Sequence, residues 1–236
     1  MCGIAGFIGE CQQPLVSLKE MAKAIYHRGP DDQGVWFDEQ CGIGLAHTRL
    51  SILDLSPAGH QPMESISGQY MMVFNGEVYN HQIIKNELNN ITSIDWRGHS
   101  DTETLLAGFE AWGIKETIEK AIGMFAIAVW DRSANTLTLV RDRIGEKPLY
   151  YGWQDDTFLF GSELKSFKQH TAFKSEINRD AITLLLRHNY IPTPYSIYKG
   201  IAKLEPGCLL TVSLKYPKPS VVRYWSGAQV AESGVA

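Results

Sequence analysis

The sequence of 236 residues lacks most of the features that mark specialised proteins. No stretch approaches the roughly 18 consecutive apolar residues that a membrane-spanning helix needs, so no membrane partner is expected. The short apolar run at the N-terminus has no basic region before it and is closed by Glu10, which does not fit a signal peptide; the expected location is cytoplasmic. Excess positive charge is missing as well. A formal net charge of −4 and a pI near 6.0 leave no electrostatic footprint for nucleic acid, and no nucleic-acid partner is expected. Cysteine is scarce: Cys2, Cys11, Cys41 and Cys208 form no CxxC pair, which argues against a disulfide framework or a zinc site. The seven histidines form no HExxH, and Cys41 with His47 fits an alternating strand better than a ligand pair, so no metal is expected. Internal repeats and low-complexity tracts are also absent.

What is present is an ordinary globular composition, 44% hydrophobic and 20% charged, long enough for one large or two small cores. Residues 3–8 read as a buried strand, and Leu15, Leu18, Met21, Ala22 and Ile25 recur at helical spacing until His27-Arg28-Gly29-Pro30 stops the helix. A strand pair spans 34–46, and 70–74 forms a strand broken by Asn75-Gly76, read as a strand-to-helix corner before Ile83, Ile84 and Leu88. Ser100-Asp101-Thr102-Glu103 has the capping-box pattern ahead of a helix carrying Leu105, Leu106, Phe109 and Trp112. Hairpin strands follow at 124–130 and 136–141, then near 149–152 and 157–161. A helix from about Asn178 and two short strands near 208–214 and 220–225 complete the pattern. Strands in hairpin succession among helices indicate an α+β fold built on antiparallel sheets.

Cys2 reads in two ways. In a buried strand it is a small hydrophobe. If Met1 is removed, it becomes a residue that carries both a thiol nucleophile and a free amine able to act as its base.

Five segments occur in order: Met1-Cys2-Gly3-Ile4-Ala5-Gly6, His27-Arg28-Gly29-Pro30-Asp31, Arg49-Leu50-Ser51-Ile52, Phe74-Asn75-Gly76-Glu77 and Ser100-Asp101-Thr102-Glu103. Together they resemble the glutaminase domain of class II glutamine amidotransferases, which are N-terminal-nucleophile hydrolases. Two later segments, 141–152 and Gly161-Ser162-Glu163-Leu164-Lys165, are similar to the glutamine-dependent asparagine synthetase group. The resemblance runs from Met1 to about Trp225. It implies a four-layer αββα sandwich of two antiparallel sheets between helices, with Cys2 at the start of a strand.

By that resemblance, Cys2 attacks the side-chain carbonyl of L-glutamine to give a γ-glutamyl thioester and ammonia, and hydrolysis then yields glutamate. The Asn75 amide and the Gly76 N–H stabilise the oxyanion. Arg49 takes the α-carboxylate and Asp101 the α-ammonium, while backbone groups of Leu50, Ser51, Ile52, Leu53 and Glu77 complete the pocket. The plainer readings are a turn for Asn75-Gly76, a surface ion pair for Arg49 and a helix cap for Asp101. No role is assigned to His27 through Asp32, and Arg143, Glu146 and Lys147 read equally well as surface charge.

The expected organisation is a glutaminase core over 1–178, an extension over 179–225 leading toward an absent synthetase domain, and a tail over 226–236 that need not be ordered. The resembled synthetase domain carries a Ser-Gly-Gly-x-Asp-Ser loop, but only Ser226-Gly227-Ala228-Gln229 follows Trp225 here. No cofactor is therefore expected on this chain; ATP and Mg²⁺ belong to a partner synthetase domain or subunit. A homodimer is left open. The implied function is a glutaminase that supplies ammonia for asparagine synthesis from aspartate. The alternatives are the same glutaminase feeding a sugar or another carboxylate, and a non-catalytic regulatory relative.

Overall fold

The computed structural model of the chain describes residues 1–52 and 56–234. Leu53 therefore lies outside the described residues. In chain order the elements are β1 (Gly3–Ile8), α1 (Pro14–Ala24), β2 (Asp32–Asp38), β3 (Ile43–Arg49), β4 (Met63–Glu64), β5 (Tyr70–Val78), α2 (His81–Ile91), α3 (Asp101–Trp112), α4 (Ile114–Lys120), β6 (Gly123–Asp131) and β7 (Thr136–Arg141). They continue with β8 (Tyr150–Gln154), β9 (Thr157–Gly161), α5 (Leu164–Phe167), α6 (Arg179–His188), β10 (Ala202–Lys203), β11 (Cys208–Val212), β12 (Ser220–Arg223) and α7 (Gly227–Glu232). The chain forms two compact units, one of Met1–Leu50 with Pro148–Glu205 and one of Ser51–Lys147 with Pro206–Ala236. Each is built on one six-stranded antiparallel sheet with helices, the α+β class expected from the hairpin succession.

In the first unit the sheet order is β10-β8-β9-β1-β3-β2, which puts the first strand of the chain between two neighbours. The uninterrupted apolar run Ile4-Ala5-Gly6-Phe7-Ile8 suits a strand covered on both faces, and every residue of β1 is buried. Ala5 and Phe7 pack with Leu18, Met21, Ala22 and Ile25, which repeat at 3, 4 and 7 and so line one face of α1. Burying each large side chain there contributes about 1.5–3 kcal/mol. Leu15, expected on that face, is exposed beside Pro14 at the first helical position. After Ile25 the chain tightens into a 3₁₀ turn over Tyr26–Arg28, and Gly29-Pro30 ends it.

In the second unit the order is β12-β11-β7-β6-β5-β4. Asn75 and Gly76 are not at a corner. The strand continues through them to Val78, paired with β6 from Tyr70↔Asp131 to Val78↔Gly123, and α2 begins only at His81. The glycine answers to strand packing: a Cβ at Gly76 would stand 2.2 Å from the Met124 carbonyl oxygen. Ile84 and Leu88 of α2 and Leu105, Leu106 and Phe109 of α3 pack with Phe74, Val78, Phe125 and Ile127. Ser100 caps α3 by accepting the Glu103 N–H at 3.2 Å. Glu103 departs from the capping-box pattern, because its carboxylate accepts the N–H groups of Arg97 and Gly98 at 2.7 and 3.0 Å.

The segment after β7 is organised by Asp142, whose fully buried carboxylate accepts five backbone N–H groups, from Phe125, Ile144, Gly145, Glu146 and Lys147. Lys147 is buried, contrary to its reading as surface charge. Gly227–Glu232, within the stretch read as a tail, are helical. Among the described residues no helix is long and apolar enough to cross a membrane.

Gly6 supplies a test of how tightly β1 is seated. Its missing Cβ would meet the Gly44 carbonyl oxygen and Phe160 Cζ, each at 2.3 Å. Gly6→Ala is expected to lower stability by about 1–3 kcal/mol, the usual cost of overpacking, read as a shift in the urea midpoint. An unchanged midpoint would show that sheet spacing does not require the glycine.

Candidate active site

Cys2 stands immediately before the first ladder residue of β1, where Gly3 pairs with Thr48, and is half-buried; Met1 before it is 57% exposed. The Leu50 N–H donates to Cys2 Sγ at 3.3 Å, and the thiol donates to the Leu50 carbonyl at 3.6 Å. On the other side of the residue, Arg28 Nε donates to the Cys2 carbonyl oxygen at 2.9 Å. The Arg28 side chain is only 8% exposed, its Nη1 bonds Glu163, and its Nη2 is buried with no hydrogen-bond partner. The next residues of that segment lie along the end of β3: Pro30 bridges to Arg49, and the Asp31 N–H donates to the Arg49 carbonyl at 3.0 Å.

The segment His27-Arg28-Gly29-Pro30-Asp31, given no role from sequence, is thus what seats both Cys2 and Arg49. Its partners are 26 and 18 or more residues away along the chain, so no local spacing marks the contact. The acidic residues close to Arg28 in the sequence, Asp31 and Asp32, are not the carboxylate it pairs with, which is Glu163. Arg49 itself is buried, which removes the surface-ion-pair reading. Leu50 contacts the Cys2 sulfur directly, Ser51 is half-buried and Ile52 is exposed.

Asn75, Gly76, Glu77 and Asp101 all belong to the second unit. The ladder decides where their groups point. Both main-chain groups of Phe125 are engaged by Asp142, so Phe125 and its partner Gly76 form a pair with no hydrogen bond between them. The N–H groups of Phe74 and Val78 face away from β6, taken by Gln61 Oε1 at 2.6 Å and Asp101 Oδ2 at 2.9 Å. With a period of two, the Gly76 N–H between them faces the same edge. Beside it Asn75 is 1% exposed, and its Nδ2 is buried without a hydrogen-bond partner. Such an orphaned donor costs about 1–3 kcal/mol and calls for an explanation.

Asp101 is the first residue of α3 and joins that helix to the end of β5, since its other oxygen accepts the Thr102 N–H at 2.9 Å. A helix N-terminus favours the carboxylate, yet burial outweighs this and pushes the Asp101 pKa up to about 6. Among the described residues, no group of three or more His, Cys, Asp or Glu is placed to hold a metal ion.

The first unit thus opens on a cysteine with a backbone donor at its sulfur, and the second carries an unpartnered amide donor at Asn75. Residues 1–225 match the family model of a glutamine amidotransferase domain, and the chain belongs to that family. It is 34% identical over 238 residues to the asparagine synthetase [glutamine-hydrolyzing] 3 of Bacillus subtilis, covering 96% of this chain and 37% of that protein. It is also 34% identical over 219 residues to the amidase chry2 of Gibberella zeae, covering 88% of this chain and 32% of that one. The solved structure of the glutamine phosphoribosylpyrophosphate amidotransferase of B. subtilis, complexed with ADP and GMP, has the same fold. The TM-score is 0.69 over 94% of this chain and 49% of that one, at 17% identity. The chain spans less than half the length of the curated relatives it matches.

The raised pKa of Asp101 gives a stability signature. A carboxyl that binds its proton more tightly in the folded state stabilises that state while protonated. The contribution is full below about pH 3.8 and is lost as the pH rises through about 6. The wild type should therefore lose stability relative to Asp101→Asn between pH 4 and pH 6, by on the order of 3 kcal/mol, and run parallel to it above. Urea unfolding of both proteins at pH 4, 6 and 8 checks this, and parallel curves throughout would show an ordinary carboxyl.

Proposed function

We propose that this chain hydrolyses L-glutamine to glutamate and ammonia through a thioester on Cys2. The ammonia then serves asparagine synthesis from aspartate on a synthetase domain or subunit. The observation that carries the reading is the buried, unpartnered Asn75 amide next to the edge-facing Gly76 N–H, two donors not consumed by the fold. A tetrahedral oxyanion needs such donors, and removal of one of them commonly costs about 10²–10³ in turnover.

With Met1 removed, the Cys2 α-amine, of ordinary pKa about 7.7–8.0, takes the proton of a thiol whose ordinary pKa is about 8.5. The sulfur attacks the glutamine amide carbon, and collapse of the tetrahedral intermediate expels ammonia, which carries that proton away. Water then attacks the thioester, with the amine again as base, and the thiol is regenerated as glutamate leaves. Arg49 would hold the α-carboxylate through its planar fork and Asp101 the α-ammonium, with Leu50, Ser51, Ile52 and Glu77 lending backbone groups. Because Asp101 must be ionised for that role, glutamine binding would weaken below about pH 6.

Four cysteines without a disulfide support a reducing, cytoplasmic setting. Similarity to the Bacillus synthetase over nearly the whole chain supports aspartate as the ultimate acceptor. The Gibberella relative, an amidase by name, favours a second reading in which the same hydrolase serves another acceptor.

Intact mass is expected to show loss of Met1, and Cys2→Ala should release glutamate from glutamine at least about 10³-fold more slowly than wild type. Persistent turnover in that variant would sink the mechanism. In the full protein or complex, ¹⁵N from amide-labelled glutamine should appear in asparagine; label in a different amide or amine would favour the second reading.

A further inference from the structure

The segment Gly161-Ser162-Glu163-Leu164-Lys165 supplies the carboxylate that Arg28 bonds. It leaves β9 directly beside the start of β1, where Ala5 pairs with Gly161. Ser162, fully buried, extends that ladder by one residue: its N–H donates to the Ile4 carbonyl at 2.8 Å, and its Oγ accepts the Ile4 N–H at 3.1 Å. The following residue turns to the other side of Cys2. Glu163 Oε1 accepts from Arg28 Nη1 at 3.0 Å and bonds His27 Nε2 at 2.9 Å, while Glu163 Oε2 pairs with Lys165 Nζ at 3.0 Å.

We propose that Glu163 is a positioning residue for the nucleophile, acting through Arg28 on the Cys2 carbonyl. This rests on the reading of Cys2 as the nucleophile. The guanidinium is planar, so when Glu163 fixes Nη1 it also fixes the direction of Nε, which bonds the Cys2 oxygen at 2.9 Å. Without the carboxylate, a nearly buried cation on a four-bond stem would have one backbone oxygen to hold it and a desolvation penalty to escape.

The Cys2 carbonyl orients the carbon that carries both the amine and the thiol. Once Met1 is gone no preceding residue anchors that carbon, and a free terminus otherwise frays. Glycine at position 3 fits the same purpose, since a Cβ there would lie 3.2 Å from Arg28 Cδ and 2.7 Å from Thr48 Oγ1. The Arg28 stem passes over the peptide that it orients. Burial alone would raise the pKa of Glu163, but hydrogen bonds from Arg28, Lys165 and His27 hold its carboxyl below the ordinary range. His27 and Lys165 are substantially exposed and contact the carboxylate, whereas Arg28 carries the contact on to Cys2.

The test is alkylation of Cys2 by a chloroketone analogue of glutamine, followed by intact mass in wild type, Glu163→Gln, Arg28→Met and the double variant. The maximal inactivation rate reports nucleophile placement, and the half-saturating concentration reports binding. Glu163→Gln should slow the maximal rate by about 10–100-fold, as a misplacement of about 1 Å does, with the half-saturating concentration within about threefold. Arg28→Met should do the same, and the double variant should be no slower than Arg28→Met. Multiplied losses in the double variant, or a wild-type rate in Glu163→Gln, would overturn the relay. If circular dichroism shows Glu163→Gln unfolded, Glu163→Asp keeps the charge but withdraws it by one methylene. That variant should be slowed by a smaller factor, and a wild-type rate in it overturns the proposal equally. Turnover persisting in Cys2→Ala would instead remove the nucleophile reading itself, whatever the Glu163 variants do.

Discussion

Everything in the first unit depends on holding the beginning of a chain as firmly as its core. Chain ends fray because they have main-chain partners on one side at most. Here β1 has β3 on one edge from Gly3 onward and β9 on the other from Ala5 onward, and Ser162 closes the remaining gap at Ile4. Six successive residues buried on both faces leave the strand no route to slip, since a shift of one residue would turn every side chain over. Cys2 lies just beyond the ladder, and it is gripped at both of its ends. Leu50 meets its sulfur and Arg28 its carbonyl oxygen.

The second unit does the opposite: it leaves the Asn75 amide without a partner inside a well-paired strand. Nine paired positions between β5 and β6 carry the strand, and the pair at Gly76 and Phe125 is one whose groups point outward. Asp142 makes this work from the far side of β6. By taking both main-chain groups of Phe125, it fixes the phase of the ladder, while its carboxylate also satisfies the loop as far as Lys147. A turn of that length would otherwise leave its N–H groups to solvent. Against that support, the fold tolerates the about 1–3 kcal/mol of an unpaired Asn75 amide, the donor to which the proposed function assigns the oxyanion.

What the sequence revealed follows the range of the interactions. Periodic burial made β1, α1, α3 and the hairpins from β6 to β9 legible, with ends within a residue or two. The Ser100 cap was legible too, being a contact three residues long. Asn75-Gly76 was misread because Asn-Gly is a strong local turn signal; the deciding fact, a backbone oxygen 2.2 Å from a would-be Cβ, belongs to a strand some fifty residues on. Glu103 found donors at Arg97 and Gly98 instead of closing the capping box, and Asp142 with Lys147 went inside because the carboxylate gathers N–H groups that no periodic pattern displays. The residues proposed for the site, Cys2, Arg49, Asn75, Gly76 and Asp101, enter through the resemblance, whereas the contacts that hold Cys2 in place have no signal in the sequence.

The Arg28–Glu163 contact shows why. Neither residue alone points to the other, and a separation of 135 positions hides the pairing. Nor does stability account for the pair. Taking a guanidinium out of water costs several kcal/mol, which its attraction to a carboxylate still a quarter exposed recovers only in part, and apolar residues of the same volume would often hold a fold as well or better. An apolar pair, however, has no direction. A planar cation fixed at one nitrogen and bonded through another to the oxygen of Cys2 supplies an orientation that packing alone cannot give. The contact therefore belongs with the immobilised terminus, as a device that specifies where one residue points at little net gain in stability.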